Sequence, residues 1–386
     1  MKRSLSLALV LIALFGLASM APATVVIDDT WADATFTTWN LPYQSPWYWP
    51  DTQANSNYIG VASGSLILTN YSSVVTKTTY FWTFFTTNDP ALTRTNLPLG
   101  TTNIISDSTN LYFGNPVQIP VGQMIKLTLK FEPDGFIMDT AAKGLRFGLM
   151  SYDHADSGRP TRNTSNISKS GTNVTGYFVE VPVERTVTNN MFTFRVRTNN
   201  VSSADSQDPM GKVNDYLFLG AGPNVANIPG FVLNQQYTLT FSIARYAGSN
   251  QVSASITGAL AGVDLTNFTR SYVDISGSTY SKFDCFMIRG DSVSPVVDNL
   301  ILHEFKIETL PIEFHVTTVH RIDEDNIRLI WESVAGQNYQ IESKDDLGAS
   351  SWTALDTVTA TSASTTWTNT GASSSTSRYY RVINTP

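Results

Sequence analysis

Cysteine is nearly missing: Cys285 is the one such residue among 386. No intramolecular disulfide can form, so an exported fold built from this chain must rest on a large hydrophobic core. Cys285 lies in FDCFMIRG (283–290), among apolar neighbours, where a buried and inert thiol is expected. Histidine is scarce too, and His303, His315 and His320 have no metal-ligand spacing among them. Charged residues make up 15% of the chain and acids outnumber bases, for a formal charge of −7. That balance argues against nucleic acid and anionic membrane surfaces as partners. It suits a strongly polyanionic glycan only where a local basic groove exists. Helical periodicity is nearly absent after the first two dozen residues, and no second long apolar run follows, which excludes a membrane-inserted helix. No phosphate loop, zinc motif, nucleotide fingerprint or Ser/His/Asp elbow is visible.

Residues 1–23 read as an export signal. Lys2 and Arg3 give the charged start, Leu5 to Ala18 the apolar stretch, and Ala21-Pro22-Ala23 the small residues a signal peptidase accepts. Cleavage removes two positive charges and no negative one, taking the net charge from −7 to −9. The expected location is extracellular or on the cell surface.

The rest is written in short alternating runs. Among the clearest are SLILTN (65–70), MIKLTLKF (124–131), LRFGLMSY (145–152), GYFVEVPV (176–183), MFTFRVRT (191–198), YTLTFSIARY (237–246) and NLILHEFKI (299–307). In MIKLTLKF, Lys126, Thr128 and Lys130 fall on one face and Ile125, Leu127, Leu129 and Phe131 on the other. Half-buried antiparallel strands of this kind pack as two facing sheets. The fold class is therefore all-β: a large antiparallel sandwich over 24–310, then a small β-sandwich over 311–386, with the change of character at Leu310-Pro311.

Two resemblances sharpen this. The opening DDTWAD (28–33), the strands LRFGLMSY and GYFVEV, and the closing VVDNLIL (296–302) resemble the concanavalin-like or laminin-G-like jelly rolls of secreted bacterial proteins. Trp331 on IRLIWES, Tyr339-x-Ile341 after Gly336, and Tyr379-Tyr380-Arg381-Val382 resemble a fibronectin type III module. In that resemblance the last run matches the sixth strand, so the seventh is missing or supplied by the larger domain.

Four sets of residues are candidates for function. The stretch QSPWYWPD (44–51) concentrates aromatics between two prolines, and Trp39, Trp47, Tyr48 and Trp49 are expected to form a stacking platform for sugar rings. The competing reading is that these rings fill the core. Asp28, Asp29 and Asp33 at the start, with Asp298 near the end, suggest a structural Ca²⁺ site of the kind jelly-roll modules use. Glu180 and Glu184 lie about 13 Å apart on a regular strand, wider than the ~5–5.5 Å of a retaining glycosidase pair. Pro182 also stands where jelly-roll glucanases place an aspartate. A lyase would draw on His154, Tyr152, Arg146 and Arg195, a base and cations able to line one groove. The function that best fits is a secreted, non-catalytic protein that binds a polysaccharide or cell-surface glycan. A structural or adhesion protein and a polysaccharide lyase or glycoside hydrolase are the alternatives.

Overall fold

The computed structural model describes residues 23–36, 44, 47–48, 58–62, 64–69, 80–85, 116–137, 144–152, 174–183, 189–190, 192–198, 210, 216–222, 224–225, 231–246, 248–260, 263–264, 268–274, 276, 279–290, 296–312, 314–323, 325–371 and 378–385. Every regular element among them is a β-strand, and all strand pairs are antiparallel. Two large sheets, of eight and seven strands, form a jelly-roll sandwich. The centre of the eight-stranded sheet is the long strand Val297–Pro311, which pairs along its whole length with Gln123–Ile137. Its other edge is shared, first by Ser65–Thr69 and then by Thr24–Asp29. On the far side, Tyr237–Tyr246, Ser249–Thr257 and Phe268–Asp274 follow in order. The seven-stranded sheet runs from Tyr216–Ala221 through Thr193–Arg197, Thr175–Pro182, Gly144–Ser151, Cys285–Gly290 and Tyr80–Phe84 to Trp47–Tyr48.

Alternation sets the core. Ile125, Leu127, Leu129 and Phe131 of one sheet, with Leu239, Phe241 and Ile243 beside them, face Phe147, Leu149, Tyr177, Val179 and Phe286 of the other. The polar face of MIKLTLKF lies outside as the sequence implies, with Lys126 bridged to Glu308 at 3.4 Å and Lys130 to Glu304. One margin of the sandwich is closed by Tyr272, whose ring lies against Gly220 and whose hydroxyl donates to the Ala221 carbonyl. Only a residue without a Cβ leaves room for that ring.

The central strands of the seven-stranded sheet depart from the half-buried expectation. All eight residues of Gly144–Ser151 are buried, and seven of the eight in Thr175–Pro182. Their outward-pointing side chains form a second apolar cluster with Trp82, Phe84, Tyr216, Cys285 and Met287, under Met210. Cys285 is buried there, as its neighbours suggested.

After Pro311 the chain forms two three-stranded sheets. Val316–Arg321, Asn326–Glu332 and Ser364–Thr370 make one; Thr353–Thr359, Asn338–Lys344 and Tyr379–Thr385 make the other. Trp331, Tyr339, Ile341 and Leu329 fill the space between them, with the Trp331 and Tyr339 rings 5.8 Å apart. Ile312 and Val334 pack with Ala244 and Tyr246 of the eight-stranded sheet in a small apolar cluster.

Candidate functional site

The outer face of the seven-stranded sheet collects the groups best suited to bind a ligand. Strand register fixes them. Arg146 stands opposite Glu180 on one neighbour and Arg289 on the other. Two residues along, Arg195 stands between Phe178 and Phe218. Arg146 Nε donates to Glu180 Oε2 at 2.7 Å, and its Nη1 donates to the Met210 carbonyl at 2.5 Å. Arg289 Nη1 donates to the same carbonyl at 3.1 Å. The Arg195 guanidinium is 4.7 Å from the centre of the Tyr216 ring and 5.9 Å from that of Phe218. Tyr216 is buried and meets Phe178 edge-on at 5.1 Å. Phe218, by contrast, is 61% exposed on the edge strand. An exposed aromatic face beside a planar cation is a surface on which a sugar ring can stack while hydroxyls or a carboxylate take the N–H donors. The sequence reading placed no strand at 216–221 and missed Phe218. The signal was the run Tyr216-Leu217-Phe218-Leu219 after a long polar stretch.

The tryptophan platform needs correction at its centre. Trp47 is 2% exposed and meets Phe286 and Phe305 edge-on at 6.1 and 5.3 Å, inside the core. The reason is pairing: Trp47 and Tyr48 add a short strand beside Tyr80–Phe84, and that register turns the indole inward. Trp39 and Trp49 lie outside the described residues, and Tyr48 is described only as the strand partner of Trp82.

The four aspartates are not brought together. Thr24–Asp29 pairs with the second half of Val297–Pro311, placing Asp29 opposite Phe305. Asp298 is seven residues back along that strand, about 23 Å away at ~3.3 Å per residue. Asp28 is exposed opposite Lys306, Asp29 is buried and accepts the Trp31 N–H at 2.9 Å, and Asp33 holds Thr35 and Gln44. These residues do not fit one calcium ion, and no group of three or more metal-binding side chains occurs among the described residues.

Asp298 instead sits at a bulge between Val297 and Asn299, beside Gly135 and within electrostatic reach of Asp134. Burial and the neighbouring carboxylate raise its pKa against the pull of the Phe136 N–H. A raised carboxylate pKa opposes folding while the group is charged and stops doing so once both states are protonated. Asp298→Asn is therefore expected to raise the melting temperature slightly at pH 7 and to leave it unchanged near pH 3. A lower melting temperature at pH 7, reversed by no added metal, would show a favourable contact in place of repulsion.

The lyase set is dispersed as well. Tyr152 is buried against Phe84, its backbone N–H donates to Asp284 and its hydroxyl points to the Met287 sulfur. It lies six residues from Arg146, about 20 Å along the strand. His154 is outside the described residues. Only Arg146 and Arg195 come together, through Tyr216.

No family model matches the chain, and no curated protein is similar to it. Solved structures are similar to it at low identity. The endo-1,3-beta-glucanase from Streptomyces sioyaensis is 13% identical over 77% of this chain and 100% of its own, with a TM-score of 0.36. The exoplasmic/lumenal domain of VIP36 in its Ca²⁺/Man2-bound form is 10% identical, over 75% and 89%, with a TM-score of 0.36. The CBM2 module of the evolved Dit of Lactobacillus casei BL23 phage J-1 is 10% identical, over 76% and 98%, with a TM-score of 0.37. Likenesses this distant carry no argument about the site.

Proposed function

We propose that this is an exported, non-catalytic protein that binds a polysaccharide or cell-surface glycan on the outer face of the seven-stranded sheet. In this reading residues 24–310 bind and 311–386 form a fibronectin-like companion module. The observation that carries it is Phe218: a large ring, 61% exposed, fixed on a strand and flanked by Arg195. A rigid aromatic loses little entropy on docking, and its face suits the axial C–H groups of a pyranose. A glycosidase would need a second carboxylate near Glu180, and Glu180 is itself engaged by Arg146 at 2.7 Å.

Retention on a panel of insoluble and gel-embedded polysaccharides tests the proposal. Phe218→Ala is expected to weaken retention about tenfold or more, the effect of losing ~1.5–3 kcal/mol of aromatic burial. The melt should move by less than about 0.5 kcal/mol, as for an ordinary surface substitution. Undiminished retention in Phe218→Ala would move the site elsewhere. A parent chain retained by nothing on the panel would favour the structural or adhesion reading.

A further inference from the structure

We propose that this face selects a uronic-acid glycan, with Arg195 as the residue that reads the sugar carboxylate; the inference rests on the glycan-binding reading of Phe218. Arg195 is half-buried, and the side chains directly opposite it on both neighbouring strands, Phe178 and Phe218, carry no charge. Its Nε is enclosed and makes no hydrogen bond. Among the described residues the guanidinium is held by ring contacts, 4.7 Å from Tyr216 and 5.9 Å from Phe218. Most of the described arginines meet an oxygen acceptor: Arg146 meets Glu180, Arg378 meets Asp345 and Arg381 meets Glu342. Taking a cation partly out of water without an acceptor is costly. An anionic ligand removes that cost, whereas a neutral hydroxyl removes only part of it.

The geometry favours a carboxylate over a generic anion. A guanidinium presents its donors in a flat fork that matches two carboxylate oxygens. The Tyr216 ring holds the guanidinium at 4.7 Å before any ligand arrives. Beside it, Phe218 offers the ring face on which the body of the same sugar would rest. Arg289, opposite Arg146 on the adjacent strand, adds positive potential to the same sheet face, whereas the charge of Arg146 is offset by Glu180. The chain as a whole carries −7, so the Arg195 cation beside the exposed Phe218 ring is a local exception to its charge.

The test is affinity electrophoresis of the full chain through gels containing polygalacturonate, its fully methyl-esterified form, or dextran sulfate. The first two share a backbone and differ in charge; the third supplies charge without a uronate. Retardation by polygalacturonate is expected to exceed that by the ester at least tenfold and to weaken with salt. Arg195→Gln should abolish the preference, and Arg195→Lys, which keeps the charge but loses the fork, should restore only part of it. Equal retardation by acid and ester, or by dextran sulfate and polygalacturonate, overturns the inference. If a neutral panel glycan is still retained in a Phe218-dependent way, the binding site stands and the uronate assignment alone falls. Retardation by none of these glycans removes both. Because the acid-to-ester comparison is made on the unmutated chain, a poorly folding Arg195 variant cannot shield the proposal.

Discussion

Trp47→Ala is expected to cost about 3–5 kcal/mol of stability, the range for deleting a large aromatic from a packed core, and to leave glycan retention by the folded fraction intact. The indole is 2% exposed and touches Phe286 of its own sheet and Phe305 of the facing one. Truncation therefore opens a cavity that both sheets line, and rigid strands collapse into it poorly. Chemical denaturation read by tryptophan fluorescence and circular dichroism measures the loss. A variant that melts like the parent but no longer binds sugar would return Trp47 to the surface role its sequence context suggested.

Gly176→Ala is the second large effect, about 2–5 kcal/mol, by a different mechanism. Gly176 has φ of 150°, in the region that favours a residue without a side chain. A Cβ there would lie 2.8 Å from the Met150 Cα and closer still to the Leu149 carbonyl oxygen. Both obstacles belong to the backbone of the neighbouring strand, so no side-chain rotation relieves them. Either the pairing of Thr175–Pro182 with Gly144–Ser151 opens locally or the strand shifts, and overpacking and backbone strain add. Gly148, on the same sheet face, meets side-chain atoms of Met150, Met210 and Phe178. Gly148→Ala should therefore cost less, since thioether ends can swing aside. Equal losses in the two variants would count against this distinction between backbone and side-chain obstruction.

The sheets were largely legible because period-two alternation is a local property. MIKLTLKF reports its own faces, and its register partners are the similarly alternating YTLTFSIARY and NLILHEFKI. What alternation does not encode is which strand lies beside which. Asp28 and Asp298 looked like the two ends of one site, yet the long last strand carries its start away from the first strand. Trp47 misled for a related reason. Prolines on both sides suggested an exposed stiff loop, while a two-residue pairing with Thr83 and Trp82 placed the indole inside. Phe218 was hidden by the opposite effect. A run of apolar residues implies burial, but an edge strand has a neighbour on one side only, and its Leu217 and Phe218 stay half or more exposed. Arg195 is legible in the sequence only as one of the cations a lyase would draw on, because its strand neighbours are not. The register gives the Glu180 carboxylate to Arg146 and leaves Arg195 between two aromatic rings.

The position of Val297–Pro311 at the centre of the eight-stranded sheet also governs when the molecule can fold. This strand is needed by three others, beginning 24, 65 and 123 residues from the start of the chain. Until it has been synthesised, Thr24–Asp29 has no partner and the inner face of Gln123–Ile137 has an open flank. Closing such distant pairings is slow, because loop entropy is lost before the contacts form. A growing chain therefore carries its first three hundred residues without a finished core. That delay leaves unpaired edges exposed, so a holding chaperone would have a window in which to act before Val297–Pro311 arrives.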